Sequence, residues 1–265
     1  MTREQEPPKS HFDDAAAVYH GIRPQYPPPL FDALFDLLPE DRPPRVIEVG
    51  SGTGQATGAL LARGATVTAV EVGPQLAAHL GRTYRRQQQL TVVNGAFEDA
   101  SLALGARDAV VAATSYHWVE VAARMTRPAE LLVDSGVIAI IDTIQVASPV
   151  DRDFFERAQV VYSQYEDRPW IPSPLPDEAT PPIVAELEAC AAFEQVTLQR
   201  FRWDQIYDAA GYAELARSYS NVGLTSEQRD SLIAELEAFV AAEDGGFVVR
   251  PLVITLTTAR RVARS

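Results

Sequence analysis

The chain has 265 residues, 46% of them apolar, a formal net charge of −13 and a single cysteine. That is enough for one large α/β domain with an insertion or for two small domains. It excludes an intrachain disulfide and a multi-cysteine metal site, and the acidic balance disfavours a nucleic-acid partner, whose phosphates call for the opposite sign.

No apolar run approaches the roughly 20 residues of a membrane span. Met1–Ser10 lacks the apolar stretch of a signal peptide, so a cytoplasmic protein with no membrane partner is expected. Residues 1–10 read as a disordered tail. A short helix is expected over His11–His20, ended by Arg23-Pro-Gln-Tyr-Pro, and a second over Leu30–Leu38. Alternation then begins. Strands are expected at 46–50, 65–71, 90–93, 108–113 and 137–142. Helices are expected at 54–63, from Pro74 to about Gln87, and over 118–134 with a break near Pro128. Residues 144–190 are proline-rich and read as a lid or surface wrap. A strand over Phe193–Trp203, a helix over Thr225–Ala242 opened by a Thr225/Gln228 capping box, and a last strand over Phe247–Thr258 complete the chain. Strands alternating with helices imply parallel pairing. The fold class is therefore α/β, a doubly wound, seven-stranded, mostly parallel sheet with an antiparallel last strand and a helical or irregular lid. The expected division is lid and core over 11–143, a proline-rich insertion over 144–192, and sheet-completing strands with lid helices over 193–265.

The densest signal is Val46-Ile-Glu-Val-Gly-Ser-Gly-Thr-Gly-Gln55. A buried strand ends in an acid and breaks into a glycine turn, with a helix after it. That geometry suits a nucleotide-like ligand at the carboxyl edge of a parallel sheet. Glu48 stands two residues before Gly50, where a carboxylate can pair with a ligand ammonium. The glycines fall at 50, 52 and 54, an E-x-G-x-G-x-G spacing rather than G-x-G-x-x-G. Glu71 ends the second strand, where a carboxylate can take both hydroxyls of a ribose.

With these residues the chain resembles the class I S-adenosylmethionine-dependent methyltransferases, in particular the small-molecule methyltransferase type 11 group, on a Rossmann-like fold. The resemblance rests on 46–54, Val70-Glu-Val, Asn94-Gly-Ala-Phe-Glu-Asp99, Ala113-Thr-Ser-Tyr-His-Trp118, Tyr19-His-Gly-Ile-Arg-Pro-Gln-Tyr-Pro27, Leu215-Ala-Arg-Ser-Tyr-Ser220 and Val249-Arg-Pro-Leu-Val253. It implies S-adenosylmethionine as cofactor. Glu48 would hold the methionine ammonium, and the backbone at Gly50, Ser51 and Gly52 would approach the ligand. Glu71 would take the ribose diol and Val72 would pack on the adenine, with Ala96 and Phe97 flanking it. Thr114 and Ser115 would lie near the sulfonium. Tyr19 and Arg23 would reach the carboxylate from an N-terminal lid, an arginine fork being suited to that task. Many relatives carry an acid where Ala96 stands, so adenine recognition here would rest on backbone and packing.

The resemblance implies methyl transfer to an oxygen, nitrogen or carbon of a small-molecule acceptor; the abundance of Ala, Arg and Pro points to a bacterial origin, with secondary metabolism as the expected context, and a monomer or homodimer is expected. His117 and Tyr116 are the candidate catalytic residues, the histidine as base and the tyrosine as a hydrogen-bond partner of the acceptor. A structural histidine bonded to neighbouring backbone is the competing reading. Tyr26, Trp118 and Trp170 are candidates for binding the acceptor, and Tyr162, Tyr165, Tyr212 and Tyr219 for facing the same cavity. No metal is implied. The rivals are a nicotinamide-dependent oxidoreductase, a non-catalytic binding protein of the same fold, and an RNA methyltransferase, which the charge disfavours.

Overall fold

A computed structural model of the chain describes residues 26–165, 171–218 and 224–263. The expected helix over His11–His20, and Tyr19, Arg23, Trp170 and Tyr219, lie outside the described residues.

Seven strands form one sheet in the order β3-β2-β1-β4-β5-β7-β6. They are β1 Arg45–Val49, β2 Thr66–Glu71, β3 Leu90–Asn94, β4 Arg107–Ala113, β5 Leu132–Gln145, β6 Phe193–Asp208 and β7 Phe247–Arg261. The pairs β1–β2, β1–β4, β2–β3 and β4–β5 are parallel. Contacts along β7 run against β5. Arg261 meets Asp134, whereas Thr255 further back along β7 meets the Asp142 carbonyl. β7 is thus the antiparallel strand the sequence led us to expect. The strand order reverses between β1 and β4, and a crevice for a ligand lies at the carboxyl ends of the strands flanking such a reversal.

The helices are α1 Pro28–Phe35, α2 Gln55–Ala62, α3 Pro74–Thr83, α4 Val121–Leu131, α5 Phe154–Arg157, α6 Gln159–Tyr162, α7 Ile183–Glu188, α8 Ala209–Arg217 and α9 Ser226–Ala241. Pro28 and Pro74 open their helices where a missing N–H costs nothing. α4 tolerates Pro128 within it. α9 carries the expected capping box, with Gln228 N–H donating to Thr225 Oγ1 and Thr225 N–H to Gln228 Oε1. The stretch 144–190 is less irregular than its prolines suggest, since it holds α5, α6 and α7.

The chain divides into two compact units, and each has its own core. One comprises Gln25–Ile144, Thr180–Phe201 and Ile254–Ser265. Its core includes Ile47, Val49, Val70, Val110, Ala112, Ile138 and Ile140. At its amino edge Asp108 is buried and answered twice over. Arg42 Nη1 and Nη2 each donate to it at 2.7 Å, and Arg45 adds its backbone N–H at 2.8 Å. These guanidinium and amide donors hold the Asp108 carboxyl well below the usual carboxylate range despite its burial.

The other unit comprises Met1–Pro24, Gln145–Ala179 and Arg202–Val253. Its core is built around Phe154, which stacks edge-on against Tyr212 and Phe239. Tyr212 is buried there, with its hydroxyl 3.1 Å from that of Tyr162, and Tyr165 donates to Glu235. These three tyrosines were expected around an acceptor cavity. The aromatic packing and the carboxylate already occupy them.

Candidate cofactor and acceptor site

The glycine turn after β1 is fixed by its neighbours. Gly50 N–H donates to the Val70 carbonyl at 2.8 Å, and Gly54 N–H to the Ser51 carbonyl at 2.9 Å. Gly50, Gly52 and Gly54 all have positive φ, at 65°, 53° and 92°. A Cβ at Gly50 would lie 2.6 Å from Ser115 Cβ, so the turn and the end of β4 are packed too closely for any side chain. At Gly52 the case is different. A Cβ there would meet nothing within 4 Å, which leaves open space above the turn.

Two acids flank this space. Glu71 is buried at the end of β2, and its two oxygens accept from Gly52 N–H and Gly73 N–H, each at 2.8 Å. The two amides orient the carboxylate. Glu48 is 1% exposed, and Thr57 Oγ1 of α2 donates to it at 2.6 Å. Burial pushes the Glu48 carboxyl up to about 8, the Thr57 bond opposes that shift, and the charge of Glu71 adds to it. The free protein therefore carries Glu48 mostly protonated at neutral pH.

Two polar atoms in the same turn lack a partner among the described residues. They are Ser51 Oγ and Gln55 Nε2, both buried. Val72, directly after Glu71, leaves 39% of its surface exposed, and Asn94 Nδ2 fixes its turn by donating to the carbonyls of Glu71 and Val72. A deprived acid, an oriented acid, two orphaned polar atoms, an open glycine cradle and a bare apolar side chain fit a zwitterionic nucleoside. Ala96 is half-buried in the turn after β3. Phe97 is 4% exposed and belongs to the sheet core, so of that pair Ala96 stands at the surface.

At the end of β4, Ser115 Oγ donates to the Val49 carbonyl at 2.5 Å. Thr114 holds φ 51°, an outlier for a β-branched residue. Its N–H donates to the Ile141 carbonyl at 2.8 Å, and its hydroxyl lies 2.8 Å from the hydroxyl of Tyr26. Tyr26 and Thr114 are thus brought together.

The next three residues form a 3₁₀ turn, Tyr116–Trp118. Tyr116 is 3% exposed, and its hydroxyl donates to the Arg124 carbonyl. Burial raises its pKa far above the phenol range. That hydroxyl, the candidate hydrogen-bond partner of an acceptor, is engaged with backbone here, and Tyr116 anchors the turn. His117 is exposed, its ring 5.0 Å from that of Trp118. Arg124 binds this turn together, donating to the carbonyls of His117 and Val119 and to Glu186.

Several residues at this edge carried no sequence signal. Thr57, Gln55 and Arg124 are among them. Tyr84 is another, since its hydroxyl donates to the Gly54 carbonyl at 2.9 Å and fills the space that the hydrogen of Gly58 leaves. No group of three or more metal-ligating side chains occurs among the described residues.

Comparison with known proteins agrees with this geometry. Residues 47–141 match the family model of the methyltransferase domain. An uncharacterized methyltransferase of Mycobacterium tuberculosis is 30% identical over 141 residues, which cover 53% of this chain and 55% of that protein. The chain thus spans about half the length of the curated relatives it matches. Two solved structures share the fold at low identity. Phosphoethanolamine N-methyltransferase 2 of Haemonchus contortus, in complex with S-adenosyl-L-methionine, has a TM-score of 0.54 at 11% identity, over 96% of this chain and 57% of that one. The [4+2]-cyclase SpnF has a TM-score of 0.54 at 15% identity, over 93% and 86%. The fold is that of the Rossmann-like methyltransferases. Residues 47–141 are similar to the methyltransferase domain.

Proposed function

We propose that the protein transfers a methyl group from S-adenosylmethionine to a small-molecule acceptor. The observation that carries this reading is the pair of acids across the glycine turn. Glu71 is preset by two backbone amides, while Glu48 is buried in want of a cation.

Glu48 would hold the methionine ammonium, its own proton passing to solvent. Glu71 accepts both ribose hydroxyls, Val72 covers one face of the base, and the turn after β3 lines its edge at Ala96. Ser51 and Gln55 supply two polar atoms that have no partner among the described residues. When bound, S-adenosylmethionine supplies a methyl carbon made electrophilic by a cationic sulfur. The chain's own task is then to hold the acceptor's nucleophile in line and to exclude water, and such positioning supplies most of the rate of a displacement of this kind. Thr114, strained and pinned by Tyr26, shapes the acceptor side. His117 is the candidate base for an acceptor that must lose a proton, with Trp118 beside it. Tyr19 and Arg23 are assigned to the methionine carboxylate on the family resemblance alone, and Trp170 to the acceptor cover by its place in the proline-rich stretch.

The small-molecule class is supported by the charge of −13. A cytoplasmic location and a role in bacterial secondary metabolism belong to the same reading, as does a monomeric or homodimeric state. The fold alone does not fix the reaction, since the [4+2]-cyclase SpnF has it too. The test is release of S-adenosylhomocysteine from S-adenosylmethionine with a panel of phenols, amines, alcohols and carbon acids. Acceptor-dependent release supports the reading. Binding of S-adenosylmethionine with no release for any acceptor supports a binding protein instead.

A further inference from the structure

We infer that Asp142 is the group that binds the acceptor's nucleophile, and that the acceptor is therefore a molecule presenting an O–H or N–H at the reacting atom. The inference rests on the methyltransferase reading above and narrows it to hydroxyl or amine acceptors.

The placement follows from strand register. β4 and β5 pair in parallel, with Ala112 beside Ile140 and Ala113 beside Ile141. Asp142 is the next residue on β5, as Thr114 is on β4, and the Thr114 N–H bond to the Ile141 carbonyl holds the two strand ends in step. Asp142 thus stands at the carboxyl edge of the sheet, beside the residue whose backbone is strained and whose hydroxyl is tied to Tyr26. By strand alternation it shares the sheet face of Ile138 and Ile140, both in the apolar core.

Its chemistry sets it apart from the other acids this unit encloses. Glu48 has Thr57, Glu71 has two backbone amides, and Asp108 has two arginines. The Asp142 carboxylate has no hydrogen bond and no ion pair among the described residues, although it is half-buried. Its carbonyl accepts from Thr255, which engages the backbone only. Desolvation alone lifts its carboxyl to about 6, and no charge or donor opposes the shift. Withdrawing a carboxylate partly from water without giving it a protein partner is costly. A fold that answers its buried carboxylates and leaves this half-buried one open to the crevice, beside the strained end of β4, has kept it for a ligand. A carboxylate accepts hydrogen bonds and holds cations, so its complement is a hydroxyl or an amine. A carbon nucleophile gives it nothing to bind.

The test uses the full chain, S-adenosylhomocysteine and a fragment panel of primary amines, phenols, alcohols and carboxylic acids. Binding is followed by calorimetry and ligand-observed NMR, with and without S-adenosylhomocysteine. Amines and hydroxyl compounds are expected to bind and carboxylic acids to be refused. Asp142→Asn and Asp142→Ala should weaken the bound amines and hydroxyl compounds by roughly tenfold or more, as befits loss of a charge-assisted bond. Both variants should keep the affinity for S-adenosylhomocysteine and a melting temperature no lower than the parent's. The inference is overturned if panel binding is the same in the variants, if carboxylic acids are preferred, or if no amine or hydroxyl compound binds. A parent that fails to take S-adenosylhomocysteine overturns the methyltransferase reading instead, and the panel without that ligand still reports on Asp142.

Discussion

Replacing Glu48 with glutamine should make the protein more stable and its ligand site worse. The carboxyl is held at about 8 against an ordinary 4.5. At ~1.4 kcal/mol per pH unit, keeping it ionised in the fold costs about 5 kcal/mol relative to the unfolded chain, an upper bound because burial relaxes locally. The folded state binds more protons than the unfolded one between these two values. The stability that goes with protonated Glu48 is therefore complete below pH 4.5 and is lost as pH rises through about 8. Glutamine keeps the shape and can still accept from Thr57 Oγ1, but it does not titrate. Urea unfolding of parent and Glu48→Gln at intervals from pH 5 to pH 9 should give nearly equal stabilities at the acid end. Towards the alkaline end the variant should gain by up to several kcal/mol. The same variant should lose most of its affinity for S-adenosylhomocysteine, because a neutral amide repays little of what an ammonium needs. Parallel stability curves across the whole range would refute the account of Glu48 as a buried, proton-holding acid.

Three further outcomes follow. Gly52→Ala should cost only about 1–2 kcal/mol, the strain of a side chain at φ +53°, because its Cβ meets nothing. It should nevertheless abolish ligand binding by filling the cradle, and thermal melts beside calorimetry separate the two effects. Asp108→Asn should flatten the acid limb of the stability curve. Its depressed carboxyl stabilises the fold above the ordinary carboxylate pKa and loses that contribution as pH falls, so denaturant curves near pH 3 and pH 7 should differ less in the variant. His117→Ala should cut turnover on a hydroxyl acceptor by about 10²-fold or more while sparing affinity for S-adenosylhomocysteine; unchanged turnover would remove His117 from the chemistry.

The glycine turn after β1 and the acids beside it were legible because their signals are local. Val46 to Val49 form an apolar run cut by glycines, and the two acids sit where strands end, so neither needed a partner in the sequence to be noticed. The strands were placed within a few residues except where pattern and burial part company. β6 runs on to Asp208 through Arg202, Asp204 and Gln205, whose polarity hides it. β5 starts at Leu132, ahead of Asp134-Ser-Gly, where a register shift against β4 absorbs the polar residues. The segment after β4 was less legible. Tyr116 looked like a group at a strand end, but the 3₁₀ turn swings it into the core, and that depends on a turn type the sequence does not announce. Asp142 is one acid at the end of an apolar run. Its importance comes from the register of β4 on β5 and from the partner it lacks, and both are properties of the assembled sheet. Gln55 and Tyr84 were silent for the same reason, since what matters about them is the turn they close over.

The central claim is tested most directly by calorimetry of the full chain with S-adenosylmethionine and, separately, with NAD, at pH 7 in two buffers of different ionisation heat. The account predicts saturable binding of S-adenosylmethionine alone, with net release of a fraction of a proton as Glu48 ionises, and loss of that binding in Glu71→Ala. Binding of NAD in preference, or S-adenosylmethionine binding that survives Glu71→Ala with no proton released, would contradict it.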